Sequence, residues 1–296
     1  MLFRSVEGWA LDRFAAGDLA LSPVAGQRVG LLLDAAIEPE LAQRQIQAAE
    51  ACRATLGLRI GPVVRSDAPL GVELTMGPSG SSWGTLRNPH SLLRAGERLV
   101  AAGATAIAVV ARFPDDPASE ALAAYRGGQG VDALAGAEAV ISHLLVRHLG
   151  IPCAHAPALL PLPLDPHLDP RAAAEELGHT FLPCVLVGLS RAPDLVPLQG
   201  GAPAAQRLRD GLTAADLGVV IAPAAALGGE AVLACAERGV PLIAVTGNPC
   251  LLQVDAEALG IGAIAAATYK EAAGLVLALR AGIDPAALDR PLASLV

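Results

Sequence analysis

The chain has 296 residues, enough for one large α/β domain or two smaller ones, and with only 3% aromatic residues its core must be built from Ala, Val, Leu and Ile. The net charge of −8 argues against a nucleic acid or an anionic membrane surface as the main partner. Charged residues interrupt the long apolar stretches, so none offers the roughly 20 uncharged residues that a membrane-spanning helix needs.

Short apolar runs alternate with Ala- and Leu-rich segments along the chain, a pattern typical of parallel α/β layers. The predicted strands are Val29–Leu33, Leu58–Val64, Ala106–Ala111, Ile151–Ala154, Pro183–Gly188, Leu217–Ala222, Pro241–Val245 and Gly262–Ala266. The predicted helices are Pro39–Leu56, Ser91–Ala102, Asp132–Leu149, Pro170–Leu177, Gly229–Arg238 and Tyr269–Ala281. An extra pair of strands around Leu70–Met76 is expected to be antiparallel.

A proline-rich segment at 157–170 cannot be helical and is the best candidate for a boundary. We therefore predict two Rossmann-like lobes, at residues 1–156 and 171–296, joined by this crossing and separated by a cleft. The fold class is α/β, with mostly parallel sheets flanked by helices.

Polar residues and glycines follow many of the predicted strands. Ligands bind beyond the carboxyl ends of the strands in open parallel sheets, so a shared ligand-binding rim is expected. Its predicted members are Arg112, Asp115, His155, Ser190, Arg191, Gly228, Gly229 and Asn248. The competing interpretation is that strand ends become loops, which are polar by default.

The predicted helix Asp132–Leu149 is apolar on nearly every side. Glu138 is therefore expected to be buried and paired, because an unpaired buried carboxylate costs several kcal/mol. We expect Arg112 to be its partner. His143 lies about 140° round the helix from Glu138, so the two side chains do not converge on one atom. Glu138, His143 and Asp115 are candidates for proton transfer.

His155 follows a short buried strand and is the strongest candidate for a general acid or base. The competing interpretation is a structural histidine held by hydrogen bonds. The run Cys153-Ala154-His155 also suggests a metal site or a thiol nucleophile. Its spacing matches no standard zinc pattern, and we assign no metal ligand.

Two glycine-containing loops are candidates for binding an anion. In the loop Gly77–Thr85, small residues such as Ser79, Ser81 and Ser82 let backbone N–H groups converge; a surface turn is the alternative. Gly228 and Gly229 precede a predicted helix, whose amino end favours anions, although Glu230 in its first turn opposes this. Asn248 is a candidate for ligand recognition or, alternatively, a turn residue.

Long runs of the sequence resemble the uncharacterised domain-of-unknown-function 3326 family, found mainly in the cyanobacterial and plastid lineage. The most specific are VEGWALDRFAAG, DAPLGVELTMGPSGSSWGT and GQGVDALAGAEAVISHLLVRHLGIPCAHAPAL. The resemblance is close over Val6–Val196 and looser beyond, and it implies no reaction. Relatives are expected to carry an N-terminal Gly-rich segment before the V-E-G motif, which this chain, starting MLFRSVEG, lacks.

The combined features predict an enzyme that acts on a small anionic metabolite by acid–base chemistry in a cleft between lobes. A non-catalytic ligand-binding or regulatory protein is the alternative, and a metal-dependent hydrolase using Cys153 and His155 is a second. The sequence names no cofactor.

Scattered cysteines and surface composition bear on the protein's location and assembly. The five cysteines form no C-x-x-C pair, which is typical of reduced cytosolic thiols and predicts a cytoplasmic protein. Charged residues make up only 17% of the chain, below the usual quarter or so. We therefore expect a partner subunit to cover part of the surface, giving a homo-oligomer with neither nucleic acid nor membrane as partner.

Overall fold

The computed structural model describes residues 6–116, 119–170, 172–173, 181–199, 211–292 and 294. It confirms the predicted fold class, since helices flank sheets of mostly parallel strands. By their contacts the residues divide into two compact units. The first comprises Met1–Leu11 and Ala20–Gly211, and the second comprises Asp12–Leu19 and Leu212–Val296. The sequence-based lobes, their Rossmann-like character and the cleft stay predictions.

Strands and helices are distributed along the whole of the described chain. The strands are β1 (Leu19–Ser22), β2 (Val29–Leu33), β3 (Ile60–Arg65), β4 (Val72–Met76), β5 (Ser82–Leu86), β6 (Ala106–Arg112), β7 (Cys153–Ala158), β8 (Asp194–Pro197), β9 (Val220–Pro223), β10 (Leu242–Val245) and β11 (Ile264–Ala266). The α-helices are α1 (Gly8–Ala16), α2 (Pro39–Leu56), α3 (Pro89–Ala101), α4 (Glu120–Arg126), α5 (Ala135–Leu149), α6 (Phe181–Ser190), α7 (Glu230–Glu237), α8 (Ala256–Leu259) and α9 (Tyr269–Arg280).

The first unit is built on a parallel sheet of four strands in the order β3-β2-β6-β7. Ala106, Ala108 and Val110 of β6 point to one face, where they share a buried cluster with α2 and α6. The opposite face carries α3 and α5, which pack against each other and against β2 and β7. Because β7 pairs only with β6 among the described strands, it forms one edge of this sheet.

The expected antiparallel pair is confirmed as a hairpin of β4 and β5. Its second strand packs on the amino-terminal turn of α5 at two glycines. A Cβ at Gly84 would overlap with Ala137, and a Cβ at Gly136 would overlap with the backbone of Ser82. Because glycine has no side chain, Gly84 and Gly136 let this helix and the hairpin approach each other closely.

The second unit has a parallel sheet in the order β11-β10-β9. Ile243 and Val245 of β10 pack with Ala272 of α9 in one buried cluster. Leu242 packs with Cys235 of α7 and Ala15 of α1 in another. In neither unit does a described helix combine the length and apolar character needed to cross a membrane.

Two sequence-based elements are corrected by the structure. The predicted strand Pro183–Gly188 lies inside α6. The predicted strand Ile151–Ala154 begins later and runs on to Ala158, through Pro157, which an edge strand can accommodate because one side of it needs no ladder hydrogen bond. Most of the predicted helix Pro170–Leu177 lies outside the described residues.

Candidate functional site

His155 is the third residue of β7 and lies within the strand. The sequence had placed it just beyond the end of the strand. Successive strand residues point to opposite faces. Ala156 and Ala158 lie in the cluster with α2 and α6, so His155 points to the other face, where α5 covers the sheet. The side chain is therefore held between an edge strand and a helix.

Two side chains of α5 contact the His155 ring. Nδ1 lies 3.1 Å from Ser142 Oγ, and Nε2 lies 3.6 Å from Glu138 Oε2. Both groups reach the same ring because Glu138 and Ser142 are four residues apart on α5 and share one flank of the helix. The structure thus confirms that Glu138 is buried, with 10% of its side chain exposed.

Partial burial sets the charge of His155. Its side chain is 28% exposed, and removal from water lowers its pKa to about 4. The ring is then neutral at pH 7. Because Nε2 lies beside the Glu138 carboxylate, which can only accept a hydrogen bond, the tautomer with the proton on Nε2 suits the site. Nδ1 then accepts a hydrogen bond from the Ser142 hydroxyl and carries the lone pair that a general base needs.

Cys153 precedes His155 by two residues and faces the same side of β7. It is 3% exposed, and its thiol donates to the carbonyl of Ile151 at 3.4 Å. Burial, reinforced by the charge of Glu7, raises the pKa of this thiol far above its usual value. Cys153 is therefore a neutral thiol and a poor nucleophile. Across the described residues, no three His, Cys, Asp or Glu side chains are grouped as a metal site requires.

Glu7 is a neighbour of this site that sequence reasoning did not single out. Its Oε1 lies 3.5 Å from Nδ1 of His143, and its Oε2 accepts the N–H of Trp9 at 2.9 Å, at the start of α1. The Glu7 side chain is 12% exposed, and burial raises its pKa. An acidic residue just before a helix signals a cap. No sequence pattern links it to His143, which is 136 positions away.

Arg112 belongs to a different cluster, on the α2 side of the same sheet. All five of its N–H donors have acceptors, supplied by Glu38, Asp115 and the carbonyls of Phe113 and Ala158. The expected ion pair between Arg112 and Glu138 is therefore wrong. The guanidinium lowers the pKa of both Glu38 and Asp115. The three side chains form a closed ion network, separated from His155 by the sheet.

Ser190 and Arg191 do not lie on the rim with Arg112. The Ser190 carbonyl accepts the N–H of Gln27 at 3.0 Å, just before β2 begins, whereas Arg112 ends β6. Because β2 and β6 are parallel, the start of β2 and the end of β6 lie at opposite ends of the strands. The shared rim is therefore wrong for these two residues, because the segment that precedes them is a helix and not a strand.

The serine loop is the tip of the β4–β5 hairpin. The hydroxyls of Ser79 and Ser81 lie 2.9 Å apart and are exposed. Ser82 Oγ accepts the N–H of Gly136 at 3.1 Å and so satisfies a free donor in the first turn of α5. This contact places the loop beside the turn that carries Glu138.

The remaining candidates lie in the second unit. Gly229 is the residue before α7, whose amino end is held by a carboxylate, since Asp12 Oδ1 accepts the N–H of Ala231 at 3.0 Å. Gly228 packs against Val254. Asn248 donates from Nδ2 to the Tyr269 hydroxyl at 2.7 Å on the surface.

Comparisons with known proteins give relatives without an activity. The model of a family described as "Protein of unknown function (DUF3326)" matches residues 3–289. An uncharacterized lipoprotein of Synechococcus sp. is 57% identical over 284 residues, which cover 96% of this chain and 77% of that protein. No solved structure matches.

Proposed function

This chain belongs to the DUF3326 family, and we propose that it is an enzyme that acts on a small anionic metabolite by acid–base chemistry, with His155 as the general base. The observation that carries the proposal is the contact of one neutral, partly exposed imidazole with both Ser142 and Glu138. Burial keeps this ring unprotonated at pH 7, so that its lone pair is available to a substrate proton, and a carboxylate beside it stabilises the imidazolium that forms.

The second support is that His155 differs from the charged groups around it, which are paired with one another. Arg112, Glu38 and Asp115 satisfy one another, and His148 pairs with Glu97 on the surface at 2.7 Å. Only part of the His155 ring is in contact with solvent, and its charge is suppressed by burial. Perturbed groups of this kind are concentrated at functional sites.

The anionic character of the substrate rests on the hairpin tip. The hydroxyls of Ser79 and Ser81 are neutral donors that suit a carboxylate or a phosphate, whereas the N–H groups of Gly77 and Gly80 already donate within the turn. The Ser82 contact holds this loop beside the first turn of α5, where Glu138 lies. In this proposal, the anionic group bound at the tip and the atom that His155 deprotonates belong to the same small molecule.

Turnover of metabolites by matched variants tests the proposal. The purified protein is incubated with small anionic metabolites extracted from Synechococcus, and mass spectrometry follows their amounts. We expect the wild type to deplete at least one of them, and His155→Asn to lower that rate by about 100-fold or more. His148→Asn removes an exposed histidine at the other end of α5 and should leave the rate unchanged.

A non-catalytic binding protein, the alternative function, would give a different result. A metabolite would then co-purify with the protein in native mass spectrometry, and no metabolite in the extract would change. The metal-dependent hydrolase would instead show a bound metal by elemental analysis, lost in Cys153→Ser. Because the Cys153 thiol is buried and its pKa is raised, acid–base chemistry without a thiolate is the better supported reaction.

We also propose that the protein is cytoplasmic, on the strength of its free cysteines, all five of which are unbonded. The name of the Synechococcus relative suggests a lipid anchor as the alternative. Cell fractionation with radioactive palmitate labelling separates the two. Unlabelled protein in the cytoplasmic fraction is expected, and labelled protein in the membrane fraction would overturn this assignment.

A further inference from the structure

We propose that Glu7, seated against His143, is a second proton-transfer group of the same site and acts as the general acid that complements His155. The inference rests on the proposed function and deepens it. It narrows the reaction to an isomerisation. A proton moves from one atom to another within a small anion that carries an acidic C–H bond, with no oxidation or reduction.

The geometry comes from one stretch of α5 and one stretch of β7. Ser142 and His143 are consecutive residues of α5; the first contacts His155 and the second contacts Glu7. On β7, Cys153 precedes His155 by two residues, or about 7 Å of strand, and it lies close enough to Glu7 for the ionised form of that carboxyl to raise the pKa of the thiol. Two carboxylate–imidazole pairs thus adjoin the same short segment of the structure.

The surroundings of the two groups favour opposite roles. Glu7 faces His143 and the N–H groups of Trp9 and Ala10; burial raises its pKa, although these N–H groups and His143 act to lower it. His155 faces Ser142 and Glu138, and its burial favours the neutral base. These opposite shifts, together with the carboxylate–imidazole contacts of 3.5 Å at Glu7 and 3.6 Å at His155, are the basis for assigning Glu7 as the acid and His155 as the base.

The chemical step balances without a co-reactant. His155 takes a proton from carbon; the C–H bond breaks and its electron pair stays on the substrate as an enolate-like anion. Glu7 then delivers its own proton to a different atom of that anion, and a new bond to hydrogen forms. The enzyme is left with imidazolium at His155 and carboxylate at Glu7, and exchange with water restores both.

The competing role for Glu7 is structural, as the cap of α1. Its Oε2 accepts the N–H groups of Trp9 and Ala10 at 2.9 and 3.4 Å. Glu7→Gln separates the two roles, because a glutamine oxygen can still accept both hydrogen bonds whereas the amide cannot deliver a proton. The matched control is Glu97→Gln, which alters the surface carboxylate that pairs with His148 on the same helix.

The test follows deuterium from D₂O into the anionic metabolites of a Synechococcus extract by mass spectrometry. We expect Glu7→Gln to keep exchanging hydrogen for deuterium in the unconverted metabolite, within about threefold of the wild-type rate, because His155 is intact. Conversion to product should fall by about 100-fold or more. His155→Asn should lose exchange and conversion together, and Glu97→Gln should lose neither. Glu7→Asp should recover at least about tenfold of the conversion lost in Glu7→Gln.

Other outcomes overturn the inference in identifiable ways. Wild-type conversion in Glu7→Gln would mean that Glu7 is only a cap. Loss of both exchange and conversion, with an unchanged melting temperature and circular dichroism spectrum, would show that Glu7 does not act in a separate protonation step. A misfolded Glu7→Gln variant would leave the decision to Glu7→Asp, whose failure to convert in a folded state would count against the acid. A wild type that neither exchanges nor converts any metabolite would instead refute the proposed function itself.

Discussion

His155 differs from the two histidines of α5 in how much of its ring is shielded. Its side chain is 28% exposed, against 44% for His143 and 40% for His148. The first value is small enough for burial to control protonation, and large enough for a small molecule to touch the ring. At the scale of single residues, this combination is why we propose His155, and not His143 or His148, as the general base.

The stability of the protein should depend on pH through His155. The pKa is about 4 in the folded chain and about 6.5 when unfolded, so between these values the unfolded state binds a proton that the native state does not. The free energy of unfolding is therefore highest above pH 6.5, and it should fall by up to about 3 kcal/mol as the pH is lowered towards 4. Urea unfolding at pH 7 and pH 4.5 should show a smaller loss for His155→Asn than for the wild type. Equal losses in the two proteins would contradict this cause.

Glu138 should be costly to remove. Its carboxylate is 10% exposed and lies 3.6 Å from the His155 ring. Glu138→Ala leaves its buried partner groups unsatisfied and should lower the free energy of unfolding by about 2 kcal/mol. Glu97→Ala, on the surface, should change it by less than about 1 kcal/mol. An equally small effect at Glu138 would show that the carboxylate is solvated in solution.

At the scale of elements, the candidate site depends on how closely α5 approaches its neighbours. The helix lies over β7 on one side and against β5 on another. Gly84 and Gly136 remove the Cβ atoms that would hold the hairpin away. The first turn of α5, with Glu138, is thereby fixed between the hairpin and the edge strand.

A methyl group at this contact should therefore be destabilising. Gly84→Ala places a Cβ into Ala137 and should lower the free energy of unfolding by about 2 kcal/mol. Gly188→Ala is the matched control, because it lies in α6 with nothing within 4 Å of the added Cβ. Alanine favours helix there and should stabilise the protein by about 0.5–1 kcal/mol. Chemical denaturation measures both, and a neutral Gly84→Ala would mean that the hairpin can shift.

Sequence patterns predicted those elements whose period and boundaries were clear. Pro39–Leu56 is confirmed from end to end, with proline at its first turn and a left-handed Gly57 after its last residue. The run that became α6, in contrast, is a short apolar stretch whose periodicity does not distinguish a buried strand from a buried helix. Its length of ten residues was the signal in favour of a helix.

The candidate site was predictable only in part. Glu138 and His155 stood out because each is an ionisable group in apolar surroundings. Their contact was not evident, because the strand was expected to end before His155. The partner of Arg112 was misassigned because Glu38 precedes it by 74 positions, and a single sequence gives no signal for contacts at that range. Glu7 was missed for the same reason.

At the scale of the whole molecule, the low charged fraction of 17% predicts a homo-oligomer. Exposed leucines are present in both units: Leu164 is 97% exposed in the first, and Leu277 is 67% exposed in the second. We expect light scattering at micromolar concentration to give at least a dimer, with roughly 2,000 Å² buried in total if the interface is obligate. Leu164→Glu and Leu277→Glu test the two surfaces separately. A clean monomer of the wild type would overturn the prediction.

The make-up of the second unit has a consequence for how the protein folds during its synthesis. Ala15 packs in one cluster with Cys235 and Leu242, and residues Asp12–Leu19 belong to a unit otherwise built from Leu212 onwards. A ribosome adding about 5–20 residues per second reaches those partners roughly 10–40 seconds after it has made Ala15. The early segment must wait for that interval with its apolar side uncovered. We expect it to be a preferred binding site for chaperones on the nascent chain, and the second unit to acquire protease resistance only after its last strand has emerged.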